Sequence, residues 1–229
     1  MLPAKRLAGM VAIDGLRDDV RVGRASLPSS TDSQERLQTM SDRRDEIIEV
    51  AKEVFADHGV RASTVREIGS RAGILSGSLY HHFPSKLAIV DAILRDFCQE
   101  VLSHYDEVVA AHPDPVDALR AMAAYAFTLA RDHSAAVQIL LADSETLIAE
   151  GDFGYLVDFN REVEGHWLRN LEAGVAAGRL RDDVDVRIVY RFAREAILGS
   201  IRWYSPDGRW DHEAVSRQFG EILLGGLEV

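Results

Sequence analysis

Apolar residues recur at spacings of three and four along most of the chain, which is the period of an α-helix with one buried face. The pattern begins near Ser41, and its first run ends at Gly59 in the manner of a left-handed helix cap. A long run follows Ser85 and carries Leu87, Val90, Leu94, Phe97, Val101, Tyr105 and Val108. Later runs cover about residues 115–131, 134–149, 154–177, 183–203 and 211–226. No segment alternates with a period of two, so the sequence predicts an all-α fold of about nine helices.

Two short helices are predicted between these longer runs. Thr64 and Glu67 have the spacing of a capping box, with Thr64 as the N-cap and Glu67 reaching back, and the helix that they open stops at Gly73. Ser76 is predicted to cap a second short helix that ends at Phe83. A glycine in the turn suits a helix-turn-helix because it tolerates positive φ. The second helix begins with small polar residues, which would let a recognition helix approach DNA bases closely.

The chain divides into three predicted segments. Residues 1–40 lack helical periodicity, are rich in Ser, Thr and Pro towards their end, and are predicted to form a flexible tail, with Met40 as an alternative start. Residues 41–86 are predicted to form a helix-turn-helix DNA-binding domain. Residues 87–229 are predicted to form a second domain that is entirely helical.

Composition narrows the function classes. The 229 residues are 47 % hydrophobic and 28 % charged, as in an ordinary soluble globular protein. No stretch of about 18 uncharged apolar residues occurs, and Asp14 and Arg17 interrupt the apolar start of the chain, so we expect neither a membrane span nor a signal peptide. Cys98 is the single cysteine, which excludes a disulfide framework or a thiolate metal cluster within one chain. We therefore expect a cytoplasmic protein without a membrane partner.

The charge is distributed unevenly. The whole chain has a net charge of −11, and residues 91–229 hold thirteen arginines, no lysine and twenty-five acidic residues. In contrast, residues 61–90 hold three arginines and Lys86 against the single acidic residue Glu67. Such a basic island can contact a phosphate backbone locally, although the protein as a whole is acidic. Basic and hydrogen-bonding residues around the second short helix are the candidates: Arg61, Ser63, Thr64, Tyr80, His81 and Lys86.

The stretches GVRASTVREI, from Gly59, and AGILSGSLYHHFPSK, from Ala72, resemble the DNA-binding domain of the TetR family of bacterial one-component repressors. The resemblance implies a homodimer that binds a palindromic double-stranded DNA operator in the nucleoid. It also implies that residues 87–229 form the domain for ligand binding and dimerisation, and that a small-molecule effector in this domain releases the protein from DNA. We expect no cofactor. By position, contacts to the DNA backbone are implied for Thr64, Tyr80, His81 and Lys86. Contacts at or near base edges are implied for Ser76, Gly77, Ser78 and His82.

Structural roles remain open for some of these residues. Tyr80 and Phe83 could belong to the core of a small bundle, and Lys86 could be a solvated lysine. His81 and His82 are a poor metal pair, because adjacent helical positions point about 100° apart.

Other motifs favour structural roles. The acidic run from Asp182 to Asp185 resembles a metal site but is better explained by Asp183 capping a helix that begins near Val184. Cys98 is interpreted as a small buried hydrophobe rather than a redox sensor. Neither a Gly-rich phosphate loop nor a GxSxG motif is present. We therefore predict no catalytic residue, no metal site and no enzyme activity.

Two apolar stripes near the C-terminus are predicted to form a four-helix bundle across the two-fold axis of a dimer. One stripe contains Tyr190, Ala193, Ile197 and Ile201, and the other contains Val215, Phe219, Ile222 and Leu223. A purely internal core is the alternative for both stripes. The residues predicted to mediate dimerisation are Tyr190, Ile197, Ile201, Phe219, Ile222 and Leu223.

A ligand pocket is expected in the C-terminal domain. Arginines alternate there with aromatic residues, a pattern that suits an anionic ligand with a large flat apolar part, because arginine binds phosphate bidentately and aromatic rings stack. Surface ion pairs are the alternative for these arginines. The predicted ligand-binding residues are Phe97, Tyr105, Phe127, Arg161, Trp167, Tyr190 and Arg194.

The segments GILSGSLYHHF and VYRFAREAILGSIRWYSPDGRW resemble the actinobacterial TetR repressors of cholesterol ring catabolism. That branch responds to a coenzyme A (CoA) thioester of a partly degraded steroid, so the resemblance implies an acyl-CoA or steroid-derived CoA thioester as effector. Two alternatives remain. One is a TetR-type regulator of another hydrophobic ligand, in efflux or fatty-acid metabolism. The other is a helical enzyme or carrier that binds acyl-CoA.

Overall fold

The computed structural model describes residues 30–205 and 208–229, with the backbone alone described for residues 30–40 and for Glu150. These residues form nine α-helices: α1 (Ser30–Ala62), α2 (Val65–Arg71), α3 (Ser76–His82), α4 (Lys86–Ala111), α5 (Pro115–Asp132), α6 (Ser134–Glu150), α7 (Tyr155–Ala176), α8 (Val186–Ser200) and α9 (His212–Gly225). In this part of the chain the only β-type pairing is an isolated bridge between Leu180 and Glu228. The predicted all-α fold is confirmed. All contacts given below lie within the unit Met40–Val229.

Helix α1 begins at Ser30, well before the predicted start near Ser41. The predicted start of the helix is therefore wrong by about eleven residues, whereas the flexibility of the tail stays a prediction. Residues 1–29 of that tail lie outside the described residues. Residues 32–38 contain no Gly or Pro and include Gln, Glu, Arg and Leu, which have good helix propensity. Extension of a nucleated helix needs no apolar stripe, because each added residue gains a hydrogen bond without a new nucleation cost.

Gly59 interrupts α1 near its C-terminal end. Its φ of 76° is positive, as expected for a glycine that ends a helical run, but its ψ of 163° lies outside the left-handed helical region. This conformation is essentially restricted to glycine. One further turn, residues 60–62, leads to α2.

The α2–α3 unit, residues 64–83, is the predicted pair of short helices. The Thr64 hydroxyl accepts a hydrogen bond from the backbone N–H of Glu67, so its role as N-cap is confirmed. The Glu67 carboxylate does not reach back to Thr64 as predicted, because it lies 3.2 Å from His58 Nε2 and 3.4 Å from Arg71. Gly73 has a φ of 66°, which makes the turn between the helices.

Helix α3 starts one residue earlier than predicted. Leu75 occupies the N-cap position, and no side chain caps the helix, so the prediction that Ser76 is the cap is wrong. The inner side of the unit joins one continuous apolar core with α1 and α4. Its fully buried members in this region include Ile47, Phe55, Ile68, Leu79, Phe83 and Ile89.

Helices α4 to α9 form a bundle around α5, which packs against α4, α7, α8 and α9. Helix α8 begins at Val186, and Asp185 caps it by accepting a hydrogen bond from the N–H of Arg187. Asp183 does not cap the helix as predicted, because its carboxylate is paired with Arg181.

Cys98 is buried, and burial raises the pKa of its thiol to about 12, in agreement with a structural role.

Candidate functional site

The N-terminal end of α3 stands at the surface of the α2–α3 unit. Gly77 and Ser78 are exposed and Ser76 is half-buried, whereas Leu79 and Phe83 are buried completely. Helix α3 is thus held to the core by one face and by its C-terminal end. Its small side chains remain accessible at the other end.

The aromatic and histidine residues of α3 divide between surface and core. Tyr80 is 53 % exposed, His81 is exposed and His82 is half-buried. Phe83 lies in the core, and the guanidinium carbon of Arg44 is 4.6 Å from its ring centroid, within the range of a cation–π interaction. A core role is therefore right for Phe83 and wrong for Tyr80.

Ser63 is not accessible to a partner. It is buried, and its hydroxyl donates to the backbone carbonyl of Gly59 at 2.6 Å. The prediction that the Ser63 side chain contacts DNA is wrong, because this buried hydroxyl donates its hydrogen bond to the carbonyl of Gly59, where α1 is interrupted.

Lys86 is also occupied by backbone groups. Its ammonium donates to the carbonyl of Val60 at 2.5 Å and to that of Ser63 at 2.7 Å, with the carbonyl of Arg61 at 3.5 Å. The predicted contact of Lys86 with phosphate disagrees with this arrangement, since its N–H groups already have acceptors. Lys86 instead joins the start of α4 to the last turn of α1 and to Ser63, which lies between α1 and α2. These bonds also rule out the alternative of a solvated lysine.

The basic island is less basic than its composition indicates. Arg71 pairs with Asp57 at 2.8 Å and with Glu67 at 3.4 Å. Arg61 and Arg66 are exposed, and neither forms an ion pair with any described residue. Arg66 and the exposed Leu75 were missed by the sequence analysis, although both lie within the motif that predicted this surface.

A second candidate site is a cavity of about 130 Å³ within the bundle. Its walls come from α4, α5, α6, α7 and α8. The described residues that line it are Phe97, Val101, Tyr105, Ala126, Leu129, Ala130, Val137, Leu140, Leu141, Ser144, Phe159, Asn160, Val163, Trp167, Tyr190, Arg194, Ile197 and Leu198.

Five of the seven predicted ligand-binding residues line this cavity: Phe97, Tyr105, Trp167, Tyr190 and Arg194. Phe127 does not, because it is buried against Phe219, with ring centroids 5.0 Å apart. Arg161 does not, because its exposed side chain pairs with Asp158 at 2.6 Å on the outer face of α7. The lining residues Ser144, Phe159 and Asn160 were missed.

The cavity combines an aromatic wall with one charged side chain. The Trp167 indole N–H donates to the Tyr105 hydroxyl at 3.4 Å, and burial raises the pKa of Tyr105 and of Tyr190, so both phenols stay neutral. Arg194 is the one charged residue among the described lining residues, and its partly exposed guanidinium is 2.6 Å from Glu195. The cavity therefore suits an apolar ligand part with an anionic group at the Arg194 end.

The outer sides of α8 and α9 carry exposed apolar residues. We call Ile188, Phe192 and Ile222, which are 52 %, 71 % and 77 % exposed, the α8–α9 apolar face. Large apolar side chains that are this exposed are candidates for contact with a partner, which would remove them from water.

Most residues of the two predicted dimerisation stripes face inward instead. Tyr190 and Ile197 are buried and line the cavity, while Ile201, Phe219 and Leu223 are partly buried and pack against the core. The burial of Tyr190 and Ile197 within one protomer matches the alternative of an internal core for these two residues. The role of Ile201, Phe219 and Leu223 in dimerisation stays a prediction. Of the predicted set, Ile222 alone is strongly exposed.

Two searches of the described residues were negative. No group of three or more His, Cys, Asp or Glu side chains could hold a metal ion. No described helix combines the length and apolar character needed to cross a membrane.

Residues 47–93 match the family of bacterial regulatory proteins named tetR, and residues 112–227 match the tetracyclin repressor-like C-terminal domain. The HTH-type transcriptional repressor KstR2 of Rhodococcus jostii is 41 % identical over 187 residues, which are 82 % of this chain and 92 % of that protein.

Solved structures agree with these matches. The ketosteroid transcriptional regulator KstR2 of Mycobacterium tuberculosis has a TM-score of 0.79 at 38 % identity, covering 82 % of this chain and 95 % of that one. AibR in complex with isovaleryl coenzyme A and operator DNA has a TM-score of 0.71 at 23 % identity, covering 80 % and 98 %. The second similarity concerns the fold alone.

Proposed function

Because the chain belongs to the tetR family of bacterial regulatory proteins, we propose that it is a ligand-responsive transcriptional repressor that binds a palindromic operator as a homodimer. The observation that carries the proposal is the accessible end of α3, where small residues project from a helix whose other face is fully buried. The similarity to KstR2 repressors over most of the chain supports it.

In the complex, α3 of each protomer enters a major groove by its N-terminal end. The residues that then face base edges are Ser76, Gly77, Ser78 and His82. Exposed polar and basic side chains face the flanking phosphates, namely Arg61, Thr64, Arg66, Tyr80 and His81. Lys86 and the Ser63 hydroxyl hold the unit together rather than contacting DNA.

Dimerisation positions the two copies of α3. The α8–α9 apolar face pairs with its counterpart across a two-fold axis, which removes Phe192 and Ile222 from water. Two recognition helices reach both half-sites when they lie about 34 to 36 Å apart, one turn of DNA.

The effector is an anionic ligand with a bulky apolar part. The Tyr105–Trp167 wall receives the apolar part, and Arg194 binds the anionic part. The resemblance to KstR2 proteins, one of which is named a ketosteroid regulator, favours a steroid-derived CoA thioester. AibR supports this choice at the level of the fold, since a protein of this architecture holds both an acyl-CoA and operator DNA.

Helix α4 transmits the effect of the ligand. It carries Lys86 at its start and Tyr105 in the cavity wall, about 28 Å apart along the helix axis. Phe97, between them, lines the cavity on one side and on the other borders a cleft with Glu53 and Ala56 of α1. Displacement of Phe97 by a ligand therefore reaches the DNA-binding end of the protein through one rigid helix.

The size of the cavity indicates how a bound ligand would displace the residues that line it. Ligand sites usually enclose about 300 to 1,000 Å³, whereas this cavity encloses about 130 Å³. A CoA thioester must therefore push the lining outward, and with it α4. The ligand favours a different spacing of the two α3 helices and depletes the DNA-competent state.

The proposal includes two narrower statements. The protein has no enzyme activity of its own, a statement supported by its relatives, which are transcriptional regulators. It works in the cytoplasm, where the operator is.

Titration of the protein onto a labelled fragment of the region upstream of its own gene tests the proposal. We expect saturable binding that weakens with salt and with added steroid CoA thioester, and operator DNA should weaken thioester binding by the same factor. Equal thioester affinity with and without DNA contradicts the repressor mechanism. Thioester binding by a protein that binds no DNA would favour an acyl-CoA carrier.

A further inference from the structure

Leu75 is the most exposed large apolar residue of the α2–α3 unit, with 83 % of its surface in water. It precedes α3 directly, in the turn that ends at the accessible end of that helix. Its neighbour Ile74 packs against the core, so the turn is held to the protein by the side chain of Ile74 and not by that of Leu75. Leu75 is left pointing away from the protein.

The position of Leu75 is rigid. The N–H of Ile74 donates to the carbonyl of Gly69 at 2.8 Å, which closes the turn from the α2 side. The carbonyl of Leu75 accepts from the N–H groups of Ser78 and Leu79, at 2.9 and 3.1 Å, which closes it from the α3 side. The exposed side chain therefore stands on a fixed backbone rather than on a loose loop.

Two residues at this end of α3 are poor choices for the stability of the free protein. Leu75 occupies the N-cap, where Ser, Thr, Asp or Asn would provide the missing acceptor for a helix N–H. Gly77 has no positive φ, and a Cβ at that position would meet no atom within 4 Å, so neither backbone nor packing requires glycine there. Alanine would suit the helix better. Both choices are explained if the same surface is covered by a partner.

The partner must offer an apolar group beside groups that small polar residues can approach. In the major groove of DNA, that apolar group is the C5-methyl of thymine, which side-chain carbon atoms contact directly. We propose that Leu75 packs against a thymine methyl in each half-site and thereby helps to specify the operator. The inference rests on the proposed entry of α3 into the major groove and adds a base-reading residue to it.

The test uses operator DNA in which thymine is replaced by deoxyuridine, which removes the methyl group and leaves the hydrogen-bonding edge unchanged. Symmetric thymine pairs are replaced one pair at a time. For the wild-type protein we expect one pair whose replacement weakens binding by about 4-fold per half-site, or about 15-fold in total, as for the loss of one buried methyl in each. Replacement elsewhere should have little effect.

Two variants identify the residue responsible. Leu75→Ala should bind the unmodified operator more weakly and should no longer distinguish thymine from deoxyuridine at that pair. Leu75→Ser should show the same loss of discrimination while its thermal midpoint rises, because serine supplies the missing cap, so that misfolding cannot account for the result. Val157→Ala, at another exposed apolar position on α7, is the matched control and should discriminate like the wild type.

The outcomes separate this inference from the proposed function. Binding to the operator with equal sensitivity to deoxyuridine in the wild type and both Leu75 variants overturns the role of Leu75 and leaves DNA binding intact. An operator without any methyl-sensitive pair overturns it as well. Absence of specific binding by the wild-type protein overturns the proposed function, and the inference with it.

Discussion

The ammonium of Lys86 donates a hydrogen bond to the backbone carbonyl of Ser63, 2.7 Å away, so the first residue of α4 is bonded to the residue before the N-cap of α2. Together with the bond to Val60, this contact ties the helix that lines the cavity to the DNA-binding unit. The pairing gives this lysine of the basic island a structural task at the start of α4.

Removal of the Lys86 ammonium should weaken the attachment of the start of α4 to Val60 and Ser63. For Lys86→Met we expect a loss of about 2 kcal/mol in the free energy of unfolding, since two charge-assisted hydrogen bonds disappear and leave carbonyls unpaired. Urea unfolding followed by circular dichroism measures the change. Lys52→Met is the matched control, because Lys52 forms an ion pair within one turn of α1, at 2.7 Å from Glu49, which contributes only about 0.3 kcal/mol. Equal losses in the two variants would contradict the role of Lys86.

Gly77→Ala separates stability from DNA binding. The added methyl meets no protein atom, so the free energy of unfolding should rise by about 0.5 to 1 kcal/mol. Operator affinity should fall by about tenfold, the size of one lost base contact, because the methyl stands between α3 and the base edges. Fluorescence anisotropy with labelled operator measures it. Gly154→Ala, at the open N-cap position of α7 and outside the α2–α3 unit, should leave operator affinity unchanged.

Arg194→Gln tests the charged end of the cavity. Loss of the guanidinium should weaken binding of an anionic acyl-CoA about tenfold or more, as expected for a charge-assisted hydrogen bond, and leave operator affinity unchanged. Isothermal titration calorimetry of the purified dimer measures the first quantity. Arg161→Gln is the control, since Arg161 lies outside the cavity and pairs with Asp158. A large effect of Arg161→Gln with none of Arg194→Gln would show that the ligand lies elsewhere.

Phe192→Glu tests the α8–α9 apolar face. Phe192 is 71 % exposed, so the substitution should not disturb the fold of one protomer. In a dimer, however, it would place an unpaired charge in an apolar interface, and we expect the molecular mass in solution to halve at micromolar concentration. Light scattering after gel filtration measures the mass. Val157→Glu, at another exposed apolar position, on α7, should remain dimeric. A dimeric Phe192→Glu protein would mean that another surface mediates association.

Stability should fall in mild acid because of His166. Burial, and then the charge of Arg169, lower the pKa of His166 below its ordinary value, against the opposing effects of Asp106 and Glu162. Below about pH 6.5 the unfolded chain takes up a proton that the folded protein does not, so the free energy of unfolding decreases until the pH reaches the lower pKa of the folded state. His166→Gln should flatten this part of the profile, measured by urea unfolding between pH 5 and 7.5. A matching effect of His81→Gln, at an exposed position, would argue against this assignment.

The helices and the α2–α3 unit could be predicted because their signals are local. Apolar spacing of three and four residues depends on neighbours along one helix, and the Thr64 cap and the positive φ of Gly73 depend on residues close in sequence. Five of the predicted ligand-binding residues line one cavity, since long side chains on the inner faces of several helices must meet within the bundle.

Contacts between distant segments could not be predicted in this way. Helix α8 is apolar on two sides, Tyr190 and Ile197 on one and Ile188 and Phe192 on the other, and periodicity alone cannot decide which side faces α5 and which faces a partner. Lys86 meets its acceptors more than twenty residues away along the chain.

The pairing of Arg71 with Asp57 and Glu67 affects how the protein would search a chromosome. Attraction to random DNA comes mainly from cations that displace counterions from phosphates. Among the arginines of residues 61–90, this pairing leaves Arg61, at the end of α1, and Arg66, in α2, exposed and without an ion pair to any described residue. Sliding along arbitrary sequence should therefore be brief, and each operator should be located largely through repeated three-dimensional encounters. Occupancy of a promoter would then depend on the number of copies per cell more steeply than for a strongly basic repressor.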